Sequence, residues 1–283
     1  MRWRTFLNFT FMKTSIAKHK ILITGATDGL GKHLAERFAL QGAFVLLHGR
    51  NKEKGNKVVE ELIQMSKNEN LQYYNGDFSS LQEVKSLSEN ILHEHNHIDV
   101  LINNVGIGAD MKTNKREISA NNIELRFAVN YVAHVLLTKR LLSSLSGGIS
   151  KIINVASVGQ EQINFSNIML EKNYDGFKAY KQSKTALIMY TFDLAERLME
   201  KEIKVNAIHP ATFMNTKMVL DDIGYSLSTI EDGVNAVESL LYAETTGKYY
   251  DGKNLSKAIN QTYIKEERDT LKSITWKLIE EFL

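Results

Sequence analysis

The residues of this sequence best suited to move a proton are a tyrosine and a lysine four positions apart, Tyr180 and Lys184. On a helix that spacing puts both side chains on one face, within reach of a common ligand. Reducing a carbonyl needs a proton donor, and oxidising an alcohol needs a base. A phenol serves both if its ordinary pKa near 10 is brought toward the working pH. A neighbouring ammonium favours the phenolate, so Lys184 is expected to draw Tyr180 down; two units would correspond to about 2.7 kcal/mol. Ser157 ends the run Lys151–Ser157, just past an apolar strand, where its hydroxyl can hold a substrate oxygen. Ser183 competes for that role but sits next to Lys184 and faces elsewhere. Asn130 lies inside a long helical stretch, where a buried asparagine disfavours regular helix and marks a bend or an ordered water.

A second group reads as a phosphate cradle. Thr24-Gly25-Ala26-Thr27-Asp28-Gly29-Leu30-Gly31 follows an apolar strand and opens a helix. Glycine lets the backbone turn tightly and approach a pyrophosphate, and the helix behind it offers free N–H groups and a positive dipole end. No Gly-Lys-Ser/Thr follows, so a P-loop is excluded. Asp28 reads as a turn or cap residue. The second strand ends in Leu46-Leu47-His48-Gly49-Arg50, without the acidic residue that holds a ribose 2′-OH. Arg50 instead offers a guanidinium suited to a 2′-phosphate, so NADP(H) is expected over NAD(H). Asp77 follows the third strand and either caps the next helix or accepts from an adenine amino group.

The frame that must position these groups is an alternation. Apolar runs at Lys20–Thr24, Phe44–His48, Leu71–Asn75, Val100–Asn103, Lys151–Val155 and Lys204–Ile208 read as strands buried on both faces. Helical periodicity separates them, as in Lys32–Gln41, Lys52–Lys67, Leu81–Glu94 and Ile123–Leu145. Right-handed crossovers then give an α/β fold: a single-domain, Rossmann-type, doubly wound parallel sheet with helices on both faces. Residues 1–17 are expected to be an extension and 18–283 the domain, with a mobile apolar lid around 211–229 that carries Met214, Met218 and Tyr225. Glu266–Leu283 is expected to pack as a helix near the lid or against a partner.

In these features the chain resembles the short-chain dehydrogenase/reductase family, whose Thr-Gly-x-x-x-Gly-x-Gly stands intact from Thr24 to Gly31. Asn103-Asn104-Val105-Gly106 is similar to the family's Asn-Asn-Ala-Gly, with valine in place of alanine. Asn130, Ser157, Tyr180 and Lys184 match its catalytic tetrad. The resemblance implies that Thr24, Gly25, Thr27, Gly29, Leu30, Gly31, Asp77, Asn104 and Gly106 line the cofactor. It gives Asn103 a structural role between strands. It also implies that Lys184 holds nicotinamide ribose hydroxyls, that an oxidised nicotinamide favours the Tyr180 phenolate, and that Asn130 positions a water in a proton relay. His209-Pro210-Ala211 corresponds to the family's Pro-Gly loop, with Thr216 on a cofactor phosphate or carboxamide. Alanine at 211 disfavours the left-handed backbone a glycine would allow, so a local rearrangement is expected. Ala179–Lys184 and Gly247-Lys-Tyr-Tyr250 look like the retinol-dehydrogenase-like branch, which takes lipophilic carbonyls and alcohols.

Composition closes other routes. The 283 residues contain no cysteine, which removes disulfides, thiolate metal sites and cysteine nucleophiles, and a cytoplasmic location is expected. A net charge of +2 argues against a nucleic-acid surface. No run of about 18 apolar residues exists, so no transmembrane helix is expected, although residues 1–12 could act as an interfacial anchor. His93, His95 and His97 read as a solvated helix end, and no metal is expected. The expected partner is a small carbonyl or alcohol, and the apolar faces of the helices carrying Asn130 and Tyr180 permit a homo-oligomer. The competing reading is an NADP-binding sensor or scaffold without catalysis. The chain's single proline, Pro210, falls at the end of the sixth apolar run.

Overall fold

The computed structural model describes residues 16–110, 113–145, 150–201 and 203–283, so most of the expected N-terminal extension lies outside the described residues. Six parallel strands form where the apolar runs lie: β1 (Lys20–Ile23), β2 (Phe44–Gly49), β3 (Leu71–Asn75), β4 (Val100–Asn103), β5 (Lys151–Val155) and β6 (Lys204–His209). Two strands beyond the expected six extend the sheet. β7 (Lys248–Asp251) runs parallel to β6, and β8 (Asn254–Ser256) returns antiparallel. The order is β3-β2-β1-β4-β5-β6-β7-β8, reversing direction between β1 and β4. A crevice therefore opens beyond the carboxyl ends of those two strands.

Helices cover both faces, as expected. On one face α1 (Gly29–Leu40), α2 (Lys52–Ser66) and α8 (Ile230–Ser239) bury Leu34, Phe38, Leu62 and Val237 against β1 and β2. On the other, α3 (Leu81–Glu94), α6 (Gly176–Arg197) and α9 (Lys265–Ile279) bury Leu87, Leu187 and Leu271. Side chains of this size, fully buried, contribute about 1.5–3 kcal/mol each before entropy is counted. The caps are local: Asp28, Asn51, Ser80 and Asp175 each accept a first-turn amide with their side chains. Ser80 therefore caps α3. Asp77 closes the preceding turn by accepting from Ser79 N at 2.8 Å.

The stretch expected as one helix over Ile123–Leu145 is three pieces. A short α4 (Leu125–Phe127) leads into a π turn over Ala128–Val132 and then α5 (Ala133–Leu141). Asn130 stands inside the π turn, so the expected departure from regular helix is a widened turn.

The C-terminal helix is not near the lid. It lies across the π turn and α6, where Thr275 and the Tyr131 hydroxyl share a hydrogen bond of 2.7 Å. Lys139 sits over the Trp276 ring at 4.0 Å, and Arg268 pairs with Glu196 at 2.8 Å. The chain's own α9 thus covers part of the faces of the helices that carry Asn130 and Tyr180. Among the described residues no helix is long and apolar enough to cross a membrane. His95 is buried against Tyr74 and Lys20 rather than solvated, and His97 bonds Asp99 at 2.7 Å.

Candidate active site

A cavity of about 1020 Å³ lies at the carboxyl ends of the central strands and is lined by residues of the glycine turn, the loops after β2 to β6, and α6. At one end are Ser157, Tyr180, Lys184 and Gly106; at the other are Arg50, Lys54 and Asp77. Between them run the glycine turn and the lid.

The four chemical residues come together from three elements. Ser157 follows β5, Tyr180 and Lys184 share a face of α6, and Asn130 comes from the π turn. Two glycines mark the convergence. A Cβ placed on Gly106 would lie 3.4 Å from Lys184 Nζ and 3.6 Å from Asn130 Oδ1, while one on Gly159 would lie 3.3 Å from Ser157 Oγ and 3.6 Å from Tyr180 Cε1. The Ser157 hydroxyl acts on the Tyr180 phenol and favours its ionised form. Lys184 Nζ donates to the Val155 carbonyl at 2.9 Å and stands 5.9 Å from the centre of the Tyr180 ring.

The electrostatics differ from the expectation. Desolvation pushes the Tyr180 phenol above its ordinary value; the Ser157 hydrogen bond opposes this and the Asp222 carboxylate adds to it. Burial also pushes Lys184 down, to about 8. The phenol, protonated at neutral pH at its ordinary value, is held in that form more firmly by the loss of water.

Asn130 is engaged on all sides. Its Oδ1 accepts from Ile107 N at 2.8 Å, and its Nδ2 donates to Ile107 O at 3.2 Å and to Ser183 Oγ at 3.0 Å. The side chain clamps the loop after β4 to α6. Ser183, the rejected substrate hydroxyl, is its anchor.

In the cradle, Gly25 takes the left-handed backbone, φ +69°, that the tight turn requires. Gly31 is needed for proximity, because a Cβ there would enter the Gly25 carbonyl and lie 2.6 Å from Asn104 Nδ2. Thr27, Gly29 and Leu30 line the cavity, and the first-turn amides of α1 face it. Thr24 does not line it. Fully buried, its hydroxyl accepts from the amides of Asn104 (2.8 Å) and Val105 (3.1 Å) and donates to Ile102 O, so it splices β1 to β4. The Asn104 side chain likewise holds the turn, donating to Thr24 O at 2.9 Å and Gly25 O at 3.2 Å. Asn103 ties β4 to β5 through Asn154 at 2.8 Å.

Arg50 is exposed at the cavity mouth, and among the described residues its guanidinium makes no ion pair. Lys54, which sequence reasoning missed, lies beside it and pairs with Asp28 at 2.6 Å. Its signal was present: a second cation in the first turn of the helix that directly follows Arg50. Two further positioning residues were missed. Tyr249 of β7 donates to the Ser157 carbonyl at 3.0 Å, and His48 accepts from Gly25 N at 3.3 Å while donating to Gly76 O at 3.0 Å.

His48, which lines the cavity, stacks on Phe78, and Phe78 meets the fully buried His134 edge-on. Burial lowers His48 to about 4 and His134 to about 3. Their unfolded values lie near 6.5, so below that pH the unfolded chain binds protons the folded chain refuses. Stability is fully present above about pH 6.5 and drains away toward pH 4, by at most about 1.4 kcal/mol per unit for each histidine. A His48→Gln variant should show a shallower fall in Tm between pH 6.5 and 4.5 than the parent. Equal slopes would show that His48 is not buried neutral.

In the loop after β6 the left-handed residue is Phe213, φ +45°, two positions beyond Ala211. His209 bonds Thr212 at 3.0 Å and packs at the strand end. The lid is tied at its base by Leu227 N to Phe213 O (2.9 Å) and Asn215 N to Ser228 O (3.1 Å). It carries α7 (Lys217–Ile223), capped by Thr216, whose methyl faces Gly29.

A short chain dehydrogenase profile matches residues 19–222. Human retinol dehydrogenase 11 is 34% identical over 195 residues, which is 68% of this chain and 60% of that protein. The chain therefore spans about 60% of the length of the curated relatives it matches. Among solved structures, an uncharacterised protein from Mycobacterium paratuberculosis gives a TM-score of 0.77 at 22% identity, over 94% of this chain and 95% of that one. A Shigella flexneri protein described as a short chain dehydrogenase complexed with NADP gives 0.69 at 24% identity, over 86% and 100%. At these identities the two structures speak for the fold.

Proposed function

This chain belongs to the short chain dehydrogenase family of oxidoreductases, and we propose that it transfers hydride between NADP(H) and a carbonyl or alcohol substrate, with Tyr180 exchanging the proton. The observation that carries this reading is the convergence of Ser157, Tyr180 and Lys184 at one end of a cavity whose other end holds Arg50 and Lys54. Bound there, the dinucleotide would supply the hydride; the protein supplies position and a proton.

The cavity fits such a group. Gly25, Gly29 and Gly31 leave the approach to the helix amides open, and Arg50 and Lys54 meet a 2′-phosphate. Asp28 would repel that phosphate were it not paired with Lys54. At the other end Ser157 Oγ holds the substrate oxygen, and Tyr180, kept protonated by its buried setting, donates to it during reduction. Lys184 holds ribose hydroxyls, and Asn130 keeps the Ile107 wall in place. The partly exposed apolar rim of Val158, Phe177 and Met218 suits a lipophilic substrate, as does the likeness to a retinol dehydrogenase. A dinucleotide sensor would need the cradle but not this convergence.

Steady-state rates with the two dinucleotides test the reading. NADPH should be preferred over NADH. Arg50→Ala should lower kcat/KM for NADPH by about tenfold to a hundredfold, the worth of one charge-assisted contact, and change NADH little. An equal loss with both cofactors would remove Arg50 from the 2′-phosphate site.

A further inference from the structure

Helix α7 carries a cation at its start and two carboxylates near its end: Lys217 and Asp221 line the cavity, and Asp222 lies against Gly108 of its wall. Lys217, at its start, acts electrostatically on Asp28 beside the glycine turn. Asp222, near its end, lies against Gly108 so closely that a Cβ there would collide with Asp222 Oδ2. Its carboxylate is felt by the Tyr180 phenol. Asp222 is half-buried, and among the described residues it has no hydrogen bond or ion pair.

The wall behind Gly108 does not neutralise it. Arg126 is buried there, donating to Gly108 O at 3.1 Å and to the Tyr174 hydroxyl at 2.9 Å. Asp110, Glu117 and Glu124 stand 4.0, 3.8 and 3.6 Å from its guanidinium. One cation facing three carboxylates has no positive charge to lend across the backbone. A half-buried anion without a counterion costs free energy to keep, and nothing in the packing of α7 requires it. The wall it meets is Gly108, which Met218 of the same helix also approaches.

We propose that α7 sorts charge, with Asp222 excluding substrates that carry a carboxylate near the reacting carbonyl and admitting neutral or cationic ones. The same helix sets Lys217 toward the anionic end of the cofactor, so an anion is drawn to one end of the cavity and turned away from the other. This inference rests on the oxidoreductase reading and deepens it by naming a substrate class. At a separation of one small molecule, carboxylate repulsion in this partly screened setting amounts to roughly a tenfold preference.

A matched pair isolates the effect: benzaldehyde and 4-carboxybenzaldehyde, assayed with NADPH against the parent and against Asp222→Asn and Asp222→Lys. The parent should prefer benzaldehyde, mainly through KM. Asp222→Asn should shrink the ratio of kcat/KM values about tenfold, and Asp222→Lys should reverse it. Calorimetric binding of the two aldehydes to the NADPH-loaded proteins should follow the same order. An unchanged ratio across the three proteins, in turnover or in binding, would overturn the proposal. Loss of all turnover together with a binding order that still follows residue 222 would instead sink the oxidoreductase reading and leave the charge filter standing.

Discussion

Replacing Tyr180 by phenylalanine should lower carbonyl reduction by about a thousandfold or more while leaving NADPH binding near its original strength. The expected loss is the worth of a positioned general acid, which contributes about 10²–10⁴-fold. The variant keeps the ring, the helix and the cavity wall, and removes the phenol hydroxyl on which Ser157 acts. Lys184 stays on the Val155 carbonyl, and the glycine turn lies at a distance, so the cofactor's contacts survive. The readouts are single-turnover oxidation of NADPH and its dissociation constant, measured on the same preparation. Retained turnover would remove Tyr180 from the chemistry. A parallel loss of NADPH binding would show that the ring, and not the hydroxyl, is what the site requires.

The groups in that experiment were legible in the sequence because each is announced locally. Tyr180 and Lys184 are i, i+4 on one helix, and Ser157 and the glycine turn directly follow apolar strands. Open sheets put such residues at one edge, so order along the chain was enough to bring them together. Partners distant in sequence were not legible. Tyr249 reaches Ser157 across 92 positions, and Asn104 reaches the glycine turn across about 80. Thr24 stands in the family's motif, yet its hydroxyl serves β4, 80 positions away. Burial was equally hidden. It decides the direction of the Tyr180 shift, where charge-pair reasoning from Lys184 pointed the other way. The strands β7 and β8 escaped because they are short, and β8 is wholly exposed, so they show no apolar run. Asp222 is one of two adjacent acids in the segment 211–229, and only the closeness of Gly108 distinguishes it.

Gly31→Ala should destabilise the protein by about 2 kcal/mol and weaken NADPH binding at least about tenfold, and the sign of the first effect is what makes it diagnostic. Gly31 is the third residue of α1, where helix propensity alone would make alanine better by about 1 kcal/mol. Packing opposes that gain. The added methyl would enter the Gly25 carbonyl, a backbone atom that cannot rotate away, and would crowd the Asn104 amide that holds the same turn. Either α1 or the turn must shift, and overpacking of this kind costs about 1–3 kcal/mol. Both elements carry the amides that face the cofactor, so the shift should appear in affinity as well as in stability. Urea unfolding and NADPH titration measure the two effects separately. A variant that is more stable and binds NADPH as before would mean that helix propensity governs position 31. The close approach of α1 to the turn would then have no part in forming the cradle.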